Sequence, residues 1–95
     1  MEPQLWLILG LNKADEKLTV IGFATSKWKA QAIGLERASQ EEDAWEVFCI
    51  DDRVGVRLKK WFVDNGLTNK DAEDSARGLL KEISAKLKSL GTDEN

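Results

Sequence analysis

Arg53, Arg57, Lys59 and Lys60 crowd into one short stretch that runs straight into Trp61. Guanidinium and ammonium groups attract phosphate oxygens, and an exposed indole can stack on a base. The stretch therefore has the ingredients of a nucleic-acid contact. Lys27-Trp28-Lys29 repeats the pairing of an indole with cations. Both segments also have a plainer explanation. Trp61 shares a helical stripe with Leu58, and Trp28 shares one with Ala32 and Leu35. Both indoles can thus anchor amphipathic helices while the cations form solvated faces. The periodicity favours anchoring, which leaves nucleic-acid binding through Arg53–Trp61 as the second reading of function.

Two acidic clusters, Glu41-Glu42-Asp43 and Asp51-Asp52, could hold a divalent cation or divide acid and base roles. Neither has the spacing of a calcium loop, and Asp64-Asn65-Gly66 lacks the remaining ligands of one. Solvated loop acids are the expectation. Cys49 lies within an alternating strand pattern, where a small buried hydrophobe is its expected role; a reactive thiolate needs exposure and a nearby positive charge. Gly10 and Gly22 also fall within strand patterns, where glycine permits a bulge or a close backbone approach. Neither belongs to a glycine-rich strand-to-helix turn of the kind that cradles phosphate.

What is missing narrows the chemistry further. The chain has no His and a single Cys. An internal disulfide, the usual zinc sites, and Ser–His–Asp or Cys–His nucleophile arrangements are therefore excluded. Acid–base work would fall to carboxylates and lysines, in a chain too short for a deep pocket in addition to a core. The expectation is a protein without enzymatic activity, cofactor or metal.

These residues must be positioned by one domain, because 95 residues with 42% apolar and 33% charged content fit a single globular unit. The expected domain covers 1–91, with 92–95 as a fraying tail. The longest apolar run, Leu5 to Leu9 and on through Gly10 to Leu11, is far short of the ~20 residues a membrane span needs. It also has neither the basic flank nor the cleavage site of a signal peptide. A lone Cys suits a reducing compartment, so a cytoplasmic location is expected, with no membrane partner. The net charge of −3 conceals an asymmetry. Residues 1–52 are acidic in balance, and residues 53–95 are basic in balance, with the excess gathered at Arg53 to Lys60.

Residues 4–11 read as a strand that is apolar on both faces, with Leu5, Leu7, Leu9 and Leu11 on one and Trp6 and Ile8 on the other. A polar link, 12–17, leads to a second strand over 18–24, the pattern of an antiparallel hairpin. Thr25 or Ser26 can cap a helix running to about Ser39, with Trp28, Ala32, Leu35 and Ala38 as its apolar stripe. A third strand over 44–50 alternates, placing Trp45, Val47 and Cys49 on one face. A right-handed crossover that returns this strand beside the first gives an antiparallel sheet of order 2-1-3, with the doubly apolar strand in the centre. The fold class is therefore α+β. Residues 54–58 suit either a short fourth strand or the start of a helix. A short helix follows over 57–65, ending at Gly66, and a long C-terminal helix is capped by Thr68 or Asn69.

Along that last helix Ala76, Leu80, Ile83, Leu87 and Leu90 step by four and three, with Leu79 beside them, forming a narrow coiled-coil type of seam. The seam can complete the core against the sheet, or pair through Leu80, Ile83, Leu87 and Leu90 with a second copy or another protein. The leading functional expectation is a small protein–protein interaction module, of adaptor or inhibitor type. It would act through a sheet edge, an acidic loop or the helical seam, with a homodimer as one form of assembly.

Overall fold

The computed structural model describes residues 5–41 and 43–91, with side chains described over 5–37 and 43–89; the expected tail, 92–95, lies outside them. The chain runs β1 (Trp6–Asn12), β2 (Lys17–Ala24), α1 (Lys27–Glu41), β3 (Ala44–Cys49), α2 (Val54–Asp64) and α3 (Asn69–Gly91). The three strands form an antiparallel sheet in the order β2-β1-β3, an α+β arrangement with the doubly apolar strand in the middle. Leu7, Ile8, Leu9 and Leu11 are fully buried because β1 is covered on both faces. Leu7, Leu9 and Leu11 join Phe48 in the core beneath α2 and α3, while Ile8 faces α1.

The β1–β2 hairpin turns on two local carboxamide and carboxylate contacts. Asn12 Oδ1 accepts the Ala14 N–H, and Asp15 Oδ1 accepts the Lys17 N–H, each at 3.0 Å. Within the second contact Glu16 takes the left-handed conformation, φ 56°, as the chain reverses. Ile8 pairs with Gly22 but Leu9 pairs with Val20, so Ile21 is the extra residue of a β-bulge. Arg37 Nη1 donates to the Ile21 carbonyl at 3.4 Å, tying α1 to the bulged edge.

Ser26 supplies the cap of α1, its Oγ lying 3.4 Å from the Lys29 N–H. The face of α1 that meets the sheet differs from the expected stripe at Trp28, Ala32 and Leu35, and Ala38 lies outside the described side chains. Ala30 and Gly34 are buried with Ile33 beside them, whereas Trp28 is 68% exposed and Leu35 67% exposed. The reason is steric. A Cβ on Gly34 would overlap the Trp45 ring and come within 3.2 Å of Ile8 Cγ2. The bulk at this contact comes from the strand, so the helix contributes its smallest residues and turns its large ones outward.

The opposite face carries the main core. Val54, Leu58 and Phe62 form the buried stripe of α2, and Ala72, Ala76, Leu79 and Ile83 form that of α3. Each large side chain so buried contributes about 1.5–3 kcal/mol. Residues 54–58 are helical, and no fourth strand occurs among the described residues. Asp51 decides this point. Its Oδ1 accepts the Arg53 N–H at 2.9 Å and its carboxylate takes the Arg57 guanidinium, so the chain turns into α2 directly. Gly66, at φ 105°, reverses the chain after α2. Thr68 Oγ1 then caps α3 by accepting the Asp71 N–H at 3.1 Å. Among the described residues no helix is long and apolar enough to cross a membrane.

Candidate functional site

The basic stretch resolves into separate environments along α2. Arg57 grips the Asp51 carboxylate with contacts of 3.0 and 2.8 Å, and Lys60 pairs with Asp64 at 2.8 Å one turn on. Asp51 is held below its ordinary value of 3.8 first by the hydrogen bond from the Arg57 side chain and next by the Arg53 backbone N–H. Arg53 is exposed at the start of the helix, and Lys59 lies round the helix from the others, beside Arg77 of α3. Trp61 is half-buried. Its ring meets Phe48 edge-on, with centroids 5.7 Å apart and planes at 75°, and packs on Phe62 at 5.4 Å. Two of the four cations are thus matched by acids, and the adjoining indole is committed to the core.

The seam of α3 divides between two directions. Ile83 turns inward with Leu79, while Leu80 and Leu87 remain 37% and 44% exposed on the neighbouring edge; Leu90 lies outside the described side chains. A helix of this length needs only one apolar edge to cover the sheet. The second edge, Leu80-Ser84-Leu87, has the spacing of a contact stripe for another helix. Beside it, with Leu87 outside the lining, lies an open groove of about 420 Å³ lined by Arg77, Leu80, Lys81, Ser84, Ala85 and Lys88. A smaller hollow of about 210 Å³ continues it towards α2, where Leu80 lies close over Gly55. Arg77 is shared there with Glu73 at 3.5 Å and Asp74 at 3.7 Å. Lys81 and Lys88 border the groove with no ion-pair partner among the described residues, so an apolar floor is flanked by positive charge.

The remaining sequence candidates sit elsewhere. Asp43 accepts the Lys13 N–H at 3.0 Å, linking the hairpin turn to the loop before β3; Glu41 and Glu42 lie outside the described side chains. No group of three or more potential metal ligands occurs among the described residues. Cys49 is a free thiol, half-buried at the edge of β3. The exposed Trp28, with Lys29 Nζ 5.8 Å from its ring centre, is the surface feature the helical periodicity had hidden. Its signal was present in Gly34 and Ala30, small residues whose stripe marks the close helix–sheet approach. Comparison with protein-family models, with curated proteins and with solved structures finds no match.

Proposed function

We propose that this protein is a non-enzymatic protein–protein interaction module whose α3 groove holds an acidic amphipathic helix from another protein. The observation that carries the reading is the second apolar edge of α3. Leu80 stays partly in water in the lining of a groove whose charged residues, Arg77, Lys81 and Lys88, are all basic, and Leu87 is exposed on the edge beside it. A helix with leucine-like residues at i, i+3 or i+4, and i+7 would cover the floor, and its carboxylates would face the lysines. The same charges disfavour pairing of α3 with a second α3, because both rims would be basic. The nucleic-acid reading receives less support, since Arg57 and Lys60 are paired with acids and Trp61 is packed against Phe48.

The test is fluorescence anisotropy with three labelled probes: a synthetic Leu/Glu helix of that spacing, its Leu/Lys counterpart, and a single-stranded oligonucleotide. The acidic helix binds the full chain, and Leu87→Gln weakens it without altering the circular dichroism. Equal binding of both helices, or preferential binding of the oligonucleotide, contradicts the reading.

A further inference from the structure

We propose that the open edge of β3 is a self-pairing surface. Two copies join antiparallel through Trp45–Cys49 about a twofold axis at Val47, and the Trp28 and Leu35 flanks of their α1 helices close over the joint. The phase of the strand carries the first half of the inference. Opposed residues in an antiparallel ladder alternate between pairs that exchange hydrogen bonds and pairs that exchange none. The Ile50 N–H donates to the Leu5 carbonyl at 2.8 Å. With the register of β3 against β1, this turns the main-chain groups of Phe48 and Glu46 towards β1 and those of Trp45, Val47 and Cys49 towards the open edge. The Val47 N–H is indeed met there by the Glu46 carboxylate, at 3.0 Å. A groove of about 480 Å³ follows this edge, walled by Lys27 and Gln31 from α1 and by Arg57 from the other layer. The outer edge of β2 is spoiled for pairing by the bulge at Ile21 and by Arg37.

The second half comes from α1. Gln31 lines the groove, and Trp28 and Leu35 stand three residues before and four after it on the same helix face. Trp28 and Leu35, large apolar side chains that α1 leaves in water, therefore stand on the outer shoulder of the helix above the groove and outside its lining. A second copy accounts for both features at once. Antiparallel self-pairing matches Val47 with Val47 and Trp45 with Cys49, so each outward amide and carbonyl finds a partner. Lys27 sits over the Trp6 ring, opposite Cys49, and Gly34 sits against Trp45. The axis at Val47 is thus level with the middle of that helical span, near Gln31. It places Trp28 across from Leu35 of the second copy. The two β1 strands, and the helices above them, would lie about three strand spacings apart, ~14 Å, a gap that facing Trp and Leu side chains fill. A lone extended peptide would pair with the strand but leave Trp28 and Leu35 in water. Glu46 acts as a guard, since it must leave the Val47 N–H before pairing.

Sedimentation velocity on the full chain over a range of concentrations tests this proposal. The mass rises from 10.7 kDa to twice that value. Trp28→Glu with Leu35→Glu, both at exposed positions, raises the dissociation constant more than about tenfold with unchanged circular dichroism. Val47→Pro, which removes the central donor, does the same, and Glu46→Ala lowers the constant. The proposal is overturned if wild type and Glu46→Ala stay monomeric throughout, or if a dimer survives Trp28→Glu with Leu35→Glu. It is also overturned if Leu87→Gln is the change that dissociates the dimer, which would place the pairing on α3.

Discussion

Gly34→Ala should destabilise the protein even though it replaces glycine by the best helix former in the middle of α1. Helix propensity alone favours the change by about 1 kcal/mol. Against this, the new methyl group would occupy the space of the Trp45 ring and press within 3.2 Å of Ile8 Cγ2. Overpacking of this kind costs about 1–3 kcal/mol. The net expectation is a loss of about 1 kcal/mol. Gly78→Ala in α3 is the control, because a Cβ there meets nothing within 4 Å. It should gain about 0.5–1 kcal/mol. For a domain of this size the two variants should differ by about 10 °C in Tm, measured by circular dichroism during heating. Combining Gly34→Ala with Trp45→Leu isolates the cause, since removing the ring should turn the Gly34→Ala increment favourable. If Gly34→Ala raises Tm as much as Gly78→Ala does, α1 does not approach the sheet at Trp45, and the outward turn of Trp28 loses its explanation.

Other perturbations follow from the same geometry. Phe62→Ala empties a fully buried position and should cost about 3–5 kcal/mol in urea unfolding, a large part of the ~5–15 kcal/mol typical of a domain. Thr68→Ala removes the cap on the Asp71 N–H and should cost about 1 kcal/mol by the same assay. Asp51 has a folded pKa below its ordinary 3.8, so its ionised form favours the folded state. The stability difference between wild type and Asp51→Asn should therefore be full above the unfolded pKa and disappear as pH falls through the folded one. Urea titrations at pH 7 and in the acid range check this; a difference that grows on acidification refutes it. Lys59→Glu with Lys60→Glu should leave oligonucleotide binding at low salt unchanged, because Lys60 is paired with Asp64 and Trp61 is packed against Phe48. A steep salt-dependent loss would restore that reading.

The sheet was legible because its signals are local and redundant. Alternation in β3, apolar faces on both sides of β1 and the polar link at 12–17 all specify the order 2-1-3. The caps were narrowed for the same reason to Thr25 or Ser26 and to Thr68 or Asn69, of which the structure uses Ser26 and Thr68. The face of α1 was not, because weighting residues by size favoured Trp28 and Leu35, while the packing was decided by a Trp45–Gly34 contact between elements. At the start of α2 the residue pattern suited both strand and helix, and the Asp51–Arg57 contact across six positions settled it. Along α3 the four-three stepping describes one seam, whereas the structure turns Leu79 and Ile83 inward and leaves Leu80 and Leu87 outward. One-residue offsets on a helix turn a side chain by about 100°, so only the neighbouring α2 could fix the division. The candidate groove was therefore visible in sequence as residues, but its basic border required the fold.

The most direct test of the docking account is methyl-resolved NMR of the leucine-labelled full chain during titration with the Leu/Glu helix. The account predicts that the Leu80 and Leu87 methyl resonances shift together and saturate, while the buried methyl groups of Leu7 and Leu58 move little. Saturable shifts confined to other leucines, or none at peptide excess, would contradict it.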